Sequence, residues 1–265
     1  MTEHAGRMAW LAPAALLLVL GVALVPTTDL LRLAGSPAAA DGMIEVVDEL
    51  PPDALVLVGF DADLGTYAEI RPTVRVLLDD LLERGARLAL VSLTPEGRAL
   101  AIAERARLLA GGVAADRLAD LGFVPGAEAA LVSLADAIGE GGGALRGDSV
   151  ALGLVVGGND IGPRSWVEQF APRVDGLELV AVAPSVLLPE LRPYLESGQL
   201  RALLATPREG AAYRASAHPE AGGADPGPAP LAVFVGTVIA IAVLGGAVVS
   251  KLGEALRSTR GREAT

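Results

Sequence analysis

The feature that most constrains the fold is the segment ALVLVGFDADLGT at residues 54–66. It begins with a continuous apolar run, and two aspartates, Asp61 and Asp63, follow that run directly. An apolar run of this length that ends in a turn is typical of a strand buried on both faces of a sheet. In open α/β sheets, ligands bind beyond the carboxyl ends of such strands. The segment therefore predicts an α/β core with its candidate site at residues 61–66.

The central region repeats a pattern of strand followed by helix. Apolar runs predict strands over residues 54–60, 87–93, 118–124, 149–156, 177–183 and 199–205. Helical periodicity predicts helices over residues 69–84, 95–110, 127–138, 164–170, 187–196 and 207–214. Pro72 is expected in the first turn of its helix, Thr94 as an N-cap, and Trp166 and Phe170 in the core. Alternation of this kind predicts a Rossmann-like, doubly wound, mostly parallel sheet over residues 43–215.

Two long segments carry no charge and are apolar enough to cross a membrane. Residues 8–25 and 231–249 are each close to the ~20 residues that a transmembrane helix needs. The first segment is either a retained signal-anchor or a cleaved signal peptide. Its nearest A-x-A sequence, at residues 38–40, lies 15 residues beyond the apolar run, which favours the anchor. Residues 26–42 are predicted as a tether and residues 216–230, rich in Pro, Gly and Ala, as a flexible linker.

The distribution of basic residues predicts the orientation of these two segments. Arg7 precedes the first one, in the short N-terminus of residues 1–7, and the tail of residues 250–265 carries one lysine and three arginines. Because basic residues stay on the cytoplasmic side, both termini are expected in the cytoplasm of a two-pass protein of the cell membrane. The central domain is then extracytoplasmic. Small residues four apart in the second segment, such as Gly236 and Ala240, would allow close helix–helix contact.

Composition excludes several classes of function. The chain has no cysteine, its only lysine is Lys251, and its two histidines, His4 and His218, fall in the N-terminus and the predicted linker. A cysteine nucleophile, a core lysine and a Ser-His-Asp triad are therefore not expected. Residues 26–230 hold 16 arginines against 29 Asp and Glu, a net charge of −13. A domain this acidic is not expected to bind nucleic acid.

The polar residues that follow the predicted strands form one candidate site. With a strand order of the 3-2-1-4-5 type, the topological switch point falls between the first and fourth strands. Carboxylates and hydroxyls then converge there, an oxygen-rich arrangement that suits Mg²⁺ or Ca²⁺. The predicted metal ligands are Asp61, Asp63 and Asp160, and the predicted ligand-binding residues are Ser92, Thr94, Gly158, Asn159 and Ser185.

The motif DADLGT at residues 61–66 resembles the first motif of haloacid dehalogenase-like phosphohydrolases. The resemblance implies that Asp61 is a nucleophile and Asp63 an acid/base, with Mg²⁺ as cofactor. The strand that ends at Ser92 resembles the family's second motif, and Asn159-Asp160 is placed like its acidic motif. The sequence departs from the family at the third motif, since the core has no lysine and only an arginine such as Arg98 or Arg146 is available.

A second resemblance covers nearly the whole central domain. Its segments are LADLGFVPGAEAAL (118–131), GGNDIGPRSWVEQ (157–169) and SGQLRALLATPREGAAYR (197–214). They are similar to a group of uncharacterised prokaryotic membrane-anchored proteins with a Rossmann-like domain and no established activity. The resemblance implies a fold and a topology, and it implies no mechanism. This chain has Ala205-Thr206 where that group has Gly-Gly.

Together these features predict a membrane-anchored binding, sensing or scaffolding protein that acts with the lipid bilayer, a membrane-protein partner or a second copy of itself. The alternative is a Mg²⁺-dependent phosphohydrolase of the haloacid dehalogenase-like type that uses Asp61 and Asp63. The two hypotheses differ on the aspartates, because only an enzyme or a metal-dependent binder requires them for function.

Overall fold

The computed structural model describes residues 38–139, 149–158 and 161–218, which form a six-stranded sheet. The strands, in the order β3-β2-β1-β4-β5-β6, pair in parallel throughout. They are β1 (Leu55–Asp61), β2 (Arg87–Ser92), β3 (Leu118–Phe123), β4 (Val150–Gly157), β5 (Glu178–Val182) and β6 (Ala202–Leu204). The predicted parallel α/β fold is confirmed and is consistent with a Rossmann-like topology. The switch point lies between β1 and β4, as predicted.

Seven α-helices accompany the strands in this part of the chain. They are α1 (Ala38–Asp48), α2 (Leu64–Glu83), α3 (Pro95–Ala110), α4 (Glu128–Gly139), α5 (Pro163–Ser165), α6 (Leu188–Glu196) and α7 (Pro207–Ala217). A π-helical turn, Trp166–Phe170, follows α5 directly, and 3-10 turns lie at Ala115–Arg117, Ala171–Arg173 and Ser185–Leu187. The predicted helix over 164–170 is therefore a short α-helix that continues as a π-helix.

The helices cover both faces of the sheet, and the period-2 alternation of each strand decides which side chains meet which layer. On β1, Val56, Val58 and Phe60 pack in one cluster with α1, α2, α3 and α7. Leu55 and Leu57 pack in a second cluster with α4, the π-helical turn and α6. Because Asp61 has the same phase as Leu55 and Leu57, its side chain faces the second cluster. A carboxylate therefore lies at the end of an otherwise apolar strand face.

The predicted start of α2 at residue 69 is wrong, because the helix begins five residues earlier, at Leu64. The Asp63 carboxylate is its N-cap and accepts hydrogen bonds from the N–H groups of Gly65 and Thr66. Asp63 has extended backbone angles, as an N-cap residue does. Pro72, predicted in the first turn, therefore lies inside the helix. The missed signal is the capping aspartate itself, to which the phosphohydrolase resemblance assigned an acid/base role.

The folded domain also begins earlier than predicted. Helix α1 starts at Ala38, inside the segment predicted as a tether over 26–42, and buries Ala40, Met43, Val46 and Val47 along one face. At the other end, α7 runs to Ala217, two residues into the predicted linker over 216–230. The rest of the tether and linker lies outside the described residues.

No helix within residues 38–139, 149–158 and 161–218 has both the length and the apolar character needed to cross a membrane. The two segments predicted to do so, residues 8–25 and 231–249, lie outside these ranges. The predicted N-terminus (1–7) and basic tail (250–265) do so as well. The orientation derived from the basic residues stays a prediction.

Candidate functional site

Asp61, at the carboxyl end of β1, is fully buried at the switch point. Its Oδ1 accepts a hydrogen bond from the backbone N–H of Leu93 at 2.8 Å. Its Oδ2 accepts one from the indole N–H of Trp166, also at 2.8 Å. The first bond joins β1 to the loop after β2, and the second joins it to the segment after β4. The carboxylate thus connects three consecutive parts of the sheet edge.

The environment of Asp61 sets its ionisation. Burial raises the pKa of this carboxyl to about 6, although the hydrogen bonds from Leu93 and Trp166 favour the charged form and limit the rise. An unfolded aspartate titrates near 3.9, so the folded protein holds the Asp61 proton more tightly than the unfolded chain. The free energy of unfolding therefore falls as the pH rises from about 4 to about 6, and Asp61 adds no further change above that.

The raised pKa of Asp61 predicts a measurable dependence of stability on pH. We expect Asp61→Asn to abolish a fall of about 2 kcal/mol in the free energy of unfolding between pH 4 and pH 6, which is most of the ~3 kcal/mol that a rise of two pKa units represents. The measurement is urea unfolding of the segment 38–218 across this range. An asparagine at position 61 cannot accept the hydrogen bonds from both Leu93 and Trp166, so the variant is also less stable at low pH. The quantity to compare is therefore the slope of the free energy of unfolding against pH.

Asp63→Asn is the matched control for the pH experiment. Hydrogen bonds from the N–H and the hydroxyl of Thr66, and from the N–H of Gly65, lower the pKa of Asp63, the opposite direction to that of Asp61. Its contribution to stability is therefore lost only as the pH falls below about 4, and Asn is itself a good N-cap residue. We expect this variant to keep the wild-type slope between pH 4 and pH 6. If Asp61→Asn also keeps the wild-type slope, Asp61 is not the group that causes the fall in stability between pH 4 and pH 6.

Ser92 and Thr94 lie beside Asp61, and both have structural partners. The Ser92 hydroxyl lies 2.7 Å from the carbonyl of Phe60 and 2.8 Å from that of Thr94, and accepts from the Thr94 N–H at 3.1 Å. The Thr94 hydroxyl caps α3 by accepting from the N–H of Gly97 at 3.0 Å. Thr94 is the N-cap that the sequence predicted, with Pro95 following as the first residue of the helix. Both hydroxyls therefore tie the end of β2 to β1 and α3.

Asp63 and Gly158 both lie against Thr66 at the start of α2. Oδ2 of Asp63 accepts a hydrogen bond from the Thr66 hydroxyl at 2.8 Å. A Cβ on Gly158 would lie 2.2 Å from that same hydroxyl oxygen, so the chain after β4 packs directly against the first turn of α2. A helix N-terminus is a natural anion site, but here the protein's own carboxylate occupies it. The glycine at 158 is explained by this close approach.

Ser185 lies further along the same edge, in the 3-10 turn after β5. Its backbone N–H and its hydroxyl are both 3.3 Å from Oε1 of Glu69, on α2. It therefore contacts α2 rather than Asp61 or Ser92. Asn159 and Asp160 lie outside the described residues, so the structure does not test their predicted roles.

A cavity of about 350 Å³ opens at this edge between the segments that follow β4 and β5. Gly158 and Leu187 line it, and Arg164 and Glu190 form an ion pair at 3.8 Å on its wall. Arg164 also pairs with Glu168. Its lining mixes small, apolar and charged residues.

The described residues give no support for the Mg²⁺ site predicted from the sequence, and its third predicted ligand, Asp160, lies outside them. Both oxygens of Asp61 face N–H donors, and both oxygens of Asp63 are turned onto the first turn of α2. Among the described residues, neither aspartate belongs to a cluster of three side chains that could together hold a metal ion. Two other buried carboxylates are also paired: Glu104 with Arg75 and Arg107, and Asp80 with Arg84 and Tyr213.

Trp166 is the residue whose role the sequence did not reveal. Its assignment to the core is confirmed, since Trp166 and Phe170 are both buried, with ring centroids 4.7 Å apart. Its indole N–H to Asp61, however, spans 105 positions in the chain, and no local pattern predicts such a pairing. One weak signal existed in Gly59, because a Cβ there would lie 2.3 Å from Cζ2 of Trp166. A glycine inside a buried strand indicates close approach of another group.

Comparisons of this chain with protein-family models, with curated proteins and with solved structures give no match. The two family resemblances in its sequence stay predictions.

Proposed function

We propose that this protein is a membrane-anchored binding, sensing or scaffolding protein whose domain acts outside the cytoplasm. The observation that carries the proposal is the pairing of the buried Asp61 carboxylate with Leu93 and Trp166. A nucleophile must present an oxygen to its substrate, whereas here each oxygen holds a structural donor. The Asp61 carboxylate thus stabilises the carboxyl edge of the sheet. The surface of this edge is available to bind a partner.

The surface of that edge supports a binding role. Leu64, Phe123 and Val186 have relative exposures of 61%, 42% and 75%, and they follow or end β1, β3 and β5 respectively. These strands are every second strand of the sheet, so neighbouring strands of the set are ~10 Å apart. Exposed apolar side chains that share one edge favour a protein interface. We call Leu64, Phe123 and Val186 the apolar edge residues.

The charged residues around the apolar edge residues indicate which kind of partner would bind there. Glu69, Glu96 and Glu128 are exposed in the first two turns of α2, α3 and α4, while Arg98 and Arg164 are paired with Asp120 and Glu168. An acidic edge repels nucleic acid and favours a protein with apolar side chains flanked by basic ones. Since the chain is predicted to be anchored in the bilayer, that partner is a membrane protein.

Site-specific photo-cross-linking tests the proposal. With the photoreactive residue at Leu64 or Val186 of the full-length chain in its native membrane, we expect a discrete protein adduct. The matched control is Ile102, which is 50% exposed but lies two turns along α3 from the edge. Equal labelling from Ile102, or no adduct from either edge position, would contradict an interface at this edge.

The alternative is a Mg²⁺-dependent phosphohydrolase that uses Asp61 and Asp63. It is favoured by the position of Asp61 at the end of β1, next to the switch point. The hydrogen bonds of Asp61, Asp63 and Ser92 count against it. It requires Mg²⁺-dependent hydrolysis of p-nitrophenyl phosphate that is lost in Asp61→Asn and kept in Gly42→Ala. Absence of this activity at high protein concentration would discard it.

A further inference from the structure

A cluster of potential metal ligands lies far from the carboxyl edge, near the end of α2. One ligand atom from each of Asp80, Glu83 and His218 lies within 4.8 Å of the other two. Asp80 is about 25 Å along α2 from Asp63, given a rise of 1.5 Å per residue. We propose that Asp80, Glu83 and His218 bind a divalent transition-metal ion such as Zn²⁺, with water as a further ligand.

The tertiary fold brings these three residues together. Asp80 and Glu83 are three residues apart on α2 and therefore share one face of the helix. His218 follows α7 and stays close to it, since its N–H donates to the carbonyl of Arg214 at 3.0 Å. Tyr213, on α7, donates its hydroxyl hydrogen to Asp80 and so joins the two helices. His218, which the sequence assigned to a flexible linker, is thereby held against α2 with 24% of its side chain exposed.

The donor atoms suit zinc. Zn²⁺ binds imidazole nitrogen at 2.0–2.1 Å and carboxylate oxygen at 2.0–2.2 Å in tetrahedral sites, which puts neighbouring ligand atoms ~3.4 Å apart. His218 Nδ1 and Glu83 Oε2 are already 3.8 Å apart. The Glu83 side chain is 68% exposed, so it is free to rotate and close the remaining distance. An oxygen and nitrogen donor set with one imidazole is typical of Zn²⁺ and related ions.

Asp80 has the surroundings of a well-positioned ligand. It is buried, and its oxygens accept hydrogen bonds from the Tyr213 hydroxyl and from Nε of Arg84, the latter at 3.1 Å. Ligating carboxylates are commonly held by hydrogen bonds of this kind, and a carboxylate oxygen can accept one while it binds a metal. Tyr213 and Arg84 would therefore be positioning residues for the site.

The local charge also favours a divalent cation. Asp48, Asp80 and Glu83 are acidic, and Arg84 is the cation that pairs with the first two. The formal charges of Asp48, Asp80, Glu83 and Arg84 sum to −2. The simpler explanation is an ion pair between a protonated His218 and Glu83. The two explanations differ in whether a metal ion binds and whether it needs all three side chains.

Isothermal titration of the EDTA-treated full-length chain in detergent with ZnCl₂ at pH 7.5 distinguishes them. We expect one strong site per chain, and at least tenfold weaker binding in each of His218→Ala and Glu83→Gln. His4→Ala, which removes the other histidine of the chain, is the matched control and is expected to bind as the wild type does. Both test positions are partly or largely exposed, so circular dichroism should show unchanged folding.

The visible absorption of bound Co²⁺ reports the geometry of the ligands. Co²⁺ in place of Zn²⁺ is expected to give visible absorption bands of a tetrahedral site in the wild type and in His4→Ala, and to lose them in His218→Ala. Absence of a stoichiometric site would overturn the proposal. So would binding that survives in both His218→Ala and Glu83→Gln, or that is lost in His4→Ala instead.

Discussion

Replacing Gly97 with alanine is expected to destabilise the domain by about 3 kcal/mol or more, because α3 has no room for a methyl group where it meets β1. A Cβ at Gly97 would lie 1.8 Å from the carbonyl oxygen of Phe60 and 2.6 Å from the Ser92 hydroxyl. The nearest of these is a backbone atom in a central strand, which cannot rotate away. Urea unfolding of the segment 38–218 measures the loss directly.

Gly42→Ala is the matched control. Gly42 lies inside α1, and a Cβ there would have no heavy atom within 4 Å. Since alanine favours a helix over glycine by up to about 1 kcal/mol, this variant should be as stable as the wild type or slightly more so. A Gly97→Ala variant of wild-type stability would show that α3 does not approach β1 so closely. It would also remove the structural role assigned to Ser92.

Trp166→Phe is the second substitution with a large expected effect, a loss of about 3 kcal/mol at pH 7. The change removes the indole N–H that Asp61 Oδ2 accepts at 2.8 Å and leaves a buried carboxylate with one donor fewer. It also removes ring volume against Gly59 and Phe170. Because Trp166 is the only tryptophan of the segment 38–218, unfolding of the variant must be followed by circular dichroism.

The pH dependence separates the hydrogen bond from the lost volume. The bond to Trp166 lowers the pKa of Asp61, so its removal raises that pKa further above 6. Protonated Asp61 needs the donor less, and the deficit of Trp166→Phe should therefore shrink as the pH falls from 7 to 4.5. Phe170→Leu, which changes volume in the same cluster but removes no hydrogen bond to Asp61, should show a deficit of about 1–2 kcal/mol at both pH values. Parallel profiles for the two variants would contradict a specific Asp61–Trp166 interaction.

Most of the architecture follows from local patterns. The buried strands were predicted from their apolar runs. Helix α3 was predicted with its N-cap because Thr94-Pro95 is a local signal that does not depend on the rest of the chain. The start of α2 was predicted five residues too late and α1 was not predicted at all, for different reasons. At α2 the capping group is an aspartate that also resembles a catalytic motif, and at α1 the alanine-rich start conceals an amphipathic face whose burial depends on α7 and β6.

The sequence predicted which polar residues follow the strands, but it did not predict their contacts. The sequence alone determined that Asp61, Ser92 and Thr94 follow adjacent strands, because the carboxyl ends of parallel strands share one edge. Only the tertiary structure decided that Trp166 donates to Asp61 and that His218 lies against Asp80 and Glu83. These contacts join residues that are 105 and more than 130 positions apart, and their hydrogen-bonding partners depend on how the helices pack on the sheet. Strand and helix periodicity is local, whereas the pairing of a buried polar group is a property of the whole fold.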